Sequence, residues 1–165
     1  MRTIEYIRVN VDNHVFYLGK EKGAYVFVGS EGKEFEEIYQ FFGEKNITYV
    51  KGVKKDFQDA IQQFEAYYSG RLRRFDLPIA YTGTPFQLAV WEELQHIPYG
   101  ETITYKQLAK SLKKEKAVRA IASAVGKNPL LVLVPCHRVL GSDGKLRGYR
   151  GGLAMKQALL AQEQR

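Results

Sequence analysis

The chain has 165 residues, 45% hydrophobic and 13% aromatic, which is enough to bury a core in one domain or two small ones and too apolar for a disordered chain. No apolar run approaches the roughly 18–20 residues that span a bilayer, and Met1 to Asn10 lacks the apolar stretch and cleavage site of a signal peptide, so a cytoplasmic protein without membrane association is expected. One cysteine excludes an internal disulfide and a multi-cysteine zinc site, and a net charge of +7 points toward a polyanionic partner.

The charge is not spread evenly. Residues 1–80 carry 12 Lys+Arg and 12 Asp+Glu, whereas residues 81–165 carry 13 and 6. The whole excess therefore lies in the half that holds the cysteine. Such a basic field suits nucleic acid, although a basic surface can also simply be solvated.

In chain order, Thr3 to Val9 alternates in part and reads as a strand. His14 to Leu18 and Ala24 to Val28 flank Gly19-Lys20-Glu21-Lys22-Gly23, a candidate hairpin. Ile47 to Val50 is a further strand candidate. Asp56 to Tyr68 places apolar residues at 57, 60, 61, 64, 67 and 68, a helical stripe that stops at Ser69-Gly70. Composition shifts near Pro78 to Thr82, which predicts an N-terminal α+β domain with an antiparallel sheet over residues 1–80 and a second domain over 81–165.

The second half is mostly helical by pattern. Thr84-Pro85 supplies an N-cap and a proline at the first helical position, and Phe86, Ala89, Val90, Leu94 and Ile97 follow on one face up to Pro98-Tyr99-Gly100. Thr104 and Gln107 have capping-box spacing, opening a short helix to about Leu112. Lys113 to Lys116 leads into a second helix, Ala117 to Gly126, and the pair reads as helix-turn-helix. That second helix is built from Ala117, Ala120, Ala122, Ser123, Ala124 and Gly126, with Arg119 as its one long side chain. It allows close approach of a backbone and offers little for reading base edges.

Leu130 to Val134 is an apolar run that predicts a buried extended segment ending at Pro135-Cys136-His137-Arg138. A lone cysteine there is either a buried, inert residue or a nucleophile. His137 and Arg138 bring a base and a positive charge near the sulfur, yet adjacent residues on an extended chain point apart, so His137 requires a turn or a bridging water. In the last helix, Leu153 to about Gln164, the apolar face is Leu153, Leu159 and Leu160, and Glu163 follows three and four residues after the last two. Glu163 is either a solvent-facing residue near the chain end or a carboxylate partnered by His137 or Arg138.

Pro135-Cys136-His137-Arg138-Val139 resembles the active-site signature of the methylated-DNA–protein-cysteine methyltransferases, also called O6-alkylguanine-DNA alkyltransferases. The similarity continues, in order over residues 82–163, through Gly83 to Gln87 with Val90-Trp91, Ile97 to Thr102, Tyr105 to Ala109, Lys116 to Ala120, Asn128-Pro129, Gly148 to Gly152 and Lys156 to Glu163. Residues 1–80 match only in general character.

The resemblance implies a winged-helix-like C-terminal domain that repairs DNA by moving the alkyl group of O6-alkylguanine irreversibly onto Cys136, once per molecule. It makes His137, through a water and backed by Glu163, the group that draws off the thiol proton, and Tyr105 the donor to the departing base. Asn128 braces the turn before the cysteine. Arg119 takes the place of the extruded nucleotide, and Ala117, Ala120, Ser123 and Lys127 complete a sequence-independent contact with the minor groove of double-stranded DNA. Val139 recognises the base through its carbonyl, and Tyr149 and Arg150 wall the pocket. Some relatives carry serine at the position of Arg150. Others hold zinc in the N-terminal domain, where this chain has only His14, so a monomer with no metal and no cofactor is expected.

Three other functions would each need residues that differ from those present. A non-enzymatic alkyltransferase-like binder would lack the acceptor cysteine, which is present. A helix-turn-helix regulator would need base-reading side chains, which the alanine-rich helix lacks. A metabolite-dependent methyltransferase would need a glycine-rich strand–loop–helix signature, and there is none.

Overall fold

Strand β1 (Arg2–Val11) buries Ile4, Ile7, Val9 and Val11 and turns back at Asp12-Asn13, both with positive φ, into β2 (His14–Glu21). Two consecutive positive-φ residues make the tight hairpin turn whose twist matches the strands it joins. Lys22-Gly23 repeats the device before β3 (Ala24–Val28). The five-residue loop expected at Gly19 to Gly23 is therefore shorter, because Gly19 to Glu21 pair within the sheet.

The computed structural model describes residues 1–165, which divide into two compact units, Met1–Ala80 and Tyr81–Arg165. In the first, β3, β2 and β1 form the expected antiparallel sheet. A fourth strand, β4 (Ile47–Lys51), adds to β1 in the parallel sense, which the sequence reading did not specify. It can do so because a 3-10 turn at Phe35–Ile38 and the short helix α1 (Tyr39–Phe42) carry the chain across the sheet. Helix α2 (Gln58–Tyr68) begins after a 3-10 turn at Lys54–Phe57, two residues later than its apolar stripe suggests. It buries Ala60, Ile61, Phe64, Tyr67 and Tyr68, with the Phe64 ring 4.9 Å from that of Phe16 on β2.

The second unit is mostly helical. Helix α3 (Pro85–Leu94) and helix α4 (Tyr105–Ser111) both open on complete capping boxes, Thr84 with Gln87 and Thr104 with Gln107. Helix α5 (Val118–Gly126) follows a 3-10 turn at Glu115–Ala117 and completes the helix-turn-helix with α4. The α3 side chain of Trp91 donates to the Ala124 carbonyl at 2.9 Å, so α3 is tied to the buried side of α5, which carries Ile121, Ala124 and Val125. Two short parallel strands, β5 (Ile103–Thr104) and β6 (Val139–Leu140), bring the start of α4 beside the cysteine segment, and helix α6 (Leu153–Gln162) packs behind it. No helix is long and apolar enough to cross a membrane.

Candidate active site

The segment before the cysteine is buried, as its apolar run requires, but it is not extended. Leu133 and Val134 donate back to Leu131 and Leu130 at 2.8 and 3.0 Å, and Val132 has a φ of 70°. Close turns satisfy these backbone groups locally, so no neighbouring strand is needed. Cys136–Arg138 then forms a 3-10 turn. That turn, not strand alternation, separates the side chains: Cys136 faces Asn128 and His137 faces α6.

Asn128 is buried and holds this loop from inside. Its Nδ2 donates to Val134 O at 2.8 Å and Leu130 O at 3.3 Å, and lies 3.2 Å from Cys136 Sγ; its side-chain oxygen accepts from Leu130 N at 2.9 Å. One amide thus closes the turn and donates to the sulfur.

On the other side, His137 Nε2 is 2.7 Å from Glu163 Oε2, and Arg138 binds both carboxylate oxygens at 2.8 and 3.0 Å. Glu163 is the C-cap residue of α6 and is buried, so of its two sequence readings the partnered one holds. The Pro98-Tyr99-Gly100 turn supports the group. Arg138 also donates to Ile97 O at 2.6 Å, and Gly100 N donates to Glu163 Oε1 at 3.3 Å. Gly100 has a φ of 80°, and a Cβ there would sit 3.1 Å from the Glu163 carbonyl, so glycine suits the position twice over. The second imidazole nitrogen, Nδ1, is buried and has no protein hydrogen-bond partner. Burial pushes the His137 pKa below its ordinary value against the opposing pull of Glu163, which keeps the ring neutral at neutral pH.

The second unit also has a cavity of about 540 Å³, walled by Tyr105, Val118, Arg119, Arg147, Tyr149 and Arg150 among others; Cys136, His137, Asn128 and Glu163 are not among its walls. Cys136 is only 3% exposed and sits behind those walls, within electrostatic reach of Tyr105 and Arg150. Burial raises its thiol pKa; Asn128, Arg150 and Lys156 act in the opposite direction. Burial also raises the Tyr105 pKa, so its hydroxyl stays a proton donor. The expectation that Arg138 supplies the positive charge at the sulfur is corrected: Arg138 is spent on Glu163 and Ile97, and the cations that favour the thiolate are Arg150 and Lys156.

Lys156 was not singled out by sequence. A lysine on an amphipathic helix reads as solvent-facing, but this one is fully buried. The face of α6 that packs inward is Met155, Lys156, Leu159 and Glu163, not the expected Leu153, Leu159 and Leu160; Leu153 is half exposed. Val139 is buried, and its carbonyl accepts from Lys156 Nζ at 2.6 Å. Arg150 is half-buried and donates to Asn128 O and Pro129 O at 3.2–3.3 Å, tying the pocket wall to the asparagine turn.

On α5 and its ends, Arg119, Ala120, Ser123 and Lys127 are exposed and Ala117 is half-buried. Of these five, only Arg119 also lines the cavity. His14, the one histidine of the first unit, pairs with Glu31 and stacks on Tyr68. No cluster of three or more His, Cys, Asp or Glu side chains is placed to hold a metal ion.

Residues 85–165 match the family described as 6-O-methylguanine DNA methyltransferase, DNA binding domain. The inducible methylated-DNA–protein-cysteine methyltransferase of Bacillus subtilis is 42% identical over 152 residues, covering 91% of this chain and 84% of that one. The chain belongs to the methylated-DNA–protein-cysteine methyltransferase family. The Methanosarcina barkeri methylated-DNA–protein-cysteine methyltransferase is 47% identical over 134 residues, 74% of this chain and 85% of its own. Among solved structures, the Mycobacterium tuberculosis O6-methylguanine methyltransferase superposes with a TM-score of 0.82 at 34% identity, covering 98% of this chain and 93% of that one. The same protein in complex with DNA superposes at 0.79. The second unit holds both the chain's one cysteine and the cavity of about 540 Å³.

Proposed function

We propose that this protein repairs DNA by transferring the alkyl group of O6-alkylguanine to Sγ of Cys136, and that it does so in the cytoplasm, once per molecule. The observation that carries the residue assignment is that Cys136, with Asn128 Nδ2 at 3.2 Å from its Sγ, lies within electrostatic reach of Tyr105 and Arg150, two walls of a cavity of about 540 Å³.

The geometry supports the following sequence. DNA binds along α5 with its minor groove over Ala117, Ala120, Ser123 and Lys127. Arg119, exposed yet at the cavity rim, fills the place of the nucleotide that swings in. Extruding a base costs on the order of a few kcal/mol, and the inserted guanidinium offsets part of it. The base then lies between Tyr149 and the Val139 carbonyl, with Arg150 on the wall.

At rest the buried Cys136 is a thiol. Its proton passes through a water to Nδ1 of neutral His137, whose Nε2 is oriented by Glu163; the orphaned Nδ1 is the nitrogen such a water would satisfy. The thiolate attacks the alkyl carbon, an S–C bond forms as the C–O6 bond breaks, and the electron pair goes to the guanine ring. Tyr105 gives its hydroxyl proton to the ring and regains one as the imidazolium relaxes. Acid catalysis of this kind is worth about 10²–10⁴ in rate. The products are neutral guanine and a thioether, which has no leaving group to regenerate the thiol.

A titration tests the reading. Rising amounts of duplex containing O6-methylguanine should yield a plateau at one methyl group removed per protein molecule, with none removed by Cys136→Ser. Continued turnover beyond one equivalent would refute it.

A further inference from the structure

The walls of the cavity include three guanidinium groups, Arg119, Arg147 and Arg150, and no aspartate or glutamate. A methylated guanine is neutral, so shape and hydrogen bonds suffice for it, and walls this positive exceed what it requires. Two of the three charges have evident places. Arg119 is exposed on α5, on the surface offered to DNA. Arg147 is exposed in the loop between β6 and α6 and pairs with the equally exposed Asp143 at 2.7 Å. Arg150 is different. It is half-buried, its Nε and Nη2 donate to Asn128 O at 3.3 Å, and Nη2 donates to Pro129 O at 3.2 Å. Withdrawing a guanidinium from water is costly, and carbonyls take its hydrogen bonds without neutralising its charge.

Arg150 is also the wall that reaches back to the cysteine turn. The residue whose carbonyl it holds, Asn128, places its own Nδ2 3.2 Å from Cys136 Sγ. The guanidinium and the sulfur therefore touch one and the same residue. An alkyl carbon has to approach Sγ to about 3–3.5 Å before it can transfer. A substituent on that carbon, one bond further out, is then within reach of Arg150. A planar fork of N–H donors binds a carboxylate best, through two parallel charge-assisted hydrogen bonds.

We propose that Arg150 is a specificity-determining residue that selects alkyl groups bearing a negative charge: the substrate class is an O6-carboxyalkylguanine, with its carboxylate on the guanidinium and its first carbon on Cys136 Sγ. This rests on Cys136 being the acceptor. The step is that of methyl transfer. An S–CH2 bond forms as the CH2–O6 bond breaks, the electron pair goes to the guanine ring with a proton from Tyr105, and the carboxylate stays on the new thioether.

The test compares duplexes that differ only in charge at the adduct, O6-carboxymethylguanine and its neutral counterpart O6-carbamoylmethylguanine. Single-turnover rates on both are measured in the natural protein and in Arg150→Gln, whose amide still donates to the carbonyls. The ratio of charged to neutral rate should be about tenfold higher in the natural protein, the low end for a hydrogen-bonded charge at a half-buried site, and Arg150→Lys should keep most of that preference. A ratio cancels any general loss of DNA binding. A second measurement needs no variant and no DNA: Cys136 is labelled with iodoacetate and with iodoacetamide, and the ratio of the two rates should exceed that of 2-mercaptoethanol about tenfold. If the variants do not fold, this labelling decides. An unchanged ratio in Arg150→Gln, as expected if Arg150 contacts a DNA phosphate and so serves both duplexes alike, overturns the proposal. So does a labelling ratio no higher than that of the small thiol. Failure of the natural protein to accept even a methyl group from DNA would instead remove Cys136 as acceptor.

Discussion

His137 Nε2 and Glu163 Oε2 lie 2.7 Å apart in a place where neither side chain meets solvent, and the same carboxylate is gripped by Arg138. Removing the carboxylate strands a buried guanidinium and loses the orientation of the imidazole. Glu163→Ala should destabilise the second unit by about 3–5 kcal/mol, the usual consequence of breaking a buried charge pair, while Glu163→Gln should cost less and still slow alkyl transfer. Urea denaturation with single-turnover rates reads both. A loss under about 1 kcal/mol for the alanine variant would mean that Arg138 is not dependent on Glu163.

The lowered His137 pKa gives stability a direction with pH. An unfolded histidine takes its proton near about pH 6.5. The folded ring takes it only at lower pH, so in between the unfolded state holds more protons and stability rises with pH. Acidification from pH 7 toward 5.5 should therefore lower the melting temperature, and His137→Asn should flatten that slope. An equal slope in both proteins would assign the dependence to other groups.

Asn128 spends its amide on two carbonyls and the sulfur and its oxygen on Leu130 N. Asn128→Ala leaves buried backbone groups unanswered and should cost about 1–3 kcal/mol, and it should raise the thiol pKa by removing a donor to the sulfur. The pH profile of iodoacetamide labelling separates the second effect from the first. A destabilised variant with an unmoved profile would make Asn128 purely structural.

Arg119 is exposed and also borders the cavity. If it replaces the extruded nucleotide, Arg119→Ala should slow transfer from duplex DNA far more than transfer from a free O6-alkylguanine base, which needs no flipping. Equal slowing of both would sink the insertion role.

How much of this could be read beforehand depends on where each signal resides. Thr84-Pro85 and Thr104 with Gln107 act within one turn of chain, so both helix starts were visible in the sequence. Glu163 was visible as a carboxylate following an apolar face, but its partner was undecided, because nothing local joins residue 163 to residue 137. Lys156 opens a block that resembles the family, but its burial is not legible: its partners are backbone carbonyls at 139 and 147, and carbonyls leave no mark in a sequence. The run Leu130 to Val134 showed that it was buried and hid that it was coiled, since apolarity reports burial and not shape. The parallel pairing of β4 was hidden for a similar reason, because strand direction depends on the crossover and not on the strand. The hairpin between β2 and β3 is legible at Gly19 to Gly23, but its turn narrows to Lys22-Gly23 because Gly19 sits within a strand.

The most direct test of the account is to locate the transferred group. After incubation with a duplex containing O6-methylguanine, the intact protein should gain the mass of one methyl for one hydrogen, and peptide mapping should place it on Cys136. A methyl found on any other residue, or a repaired duplex with the protein mass unchanged, would contradict it.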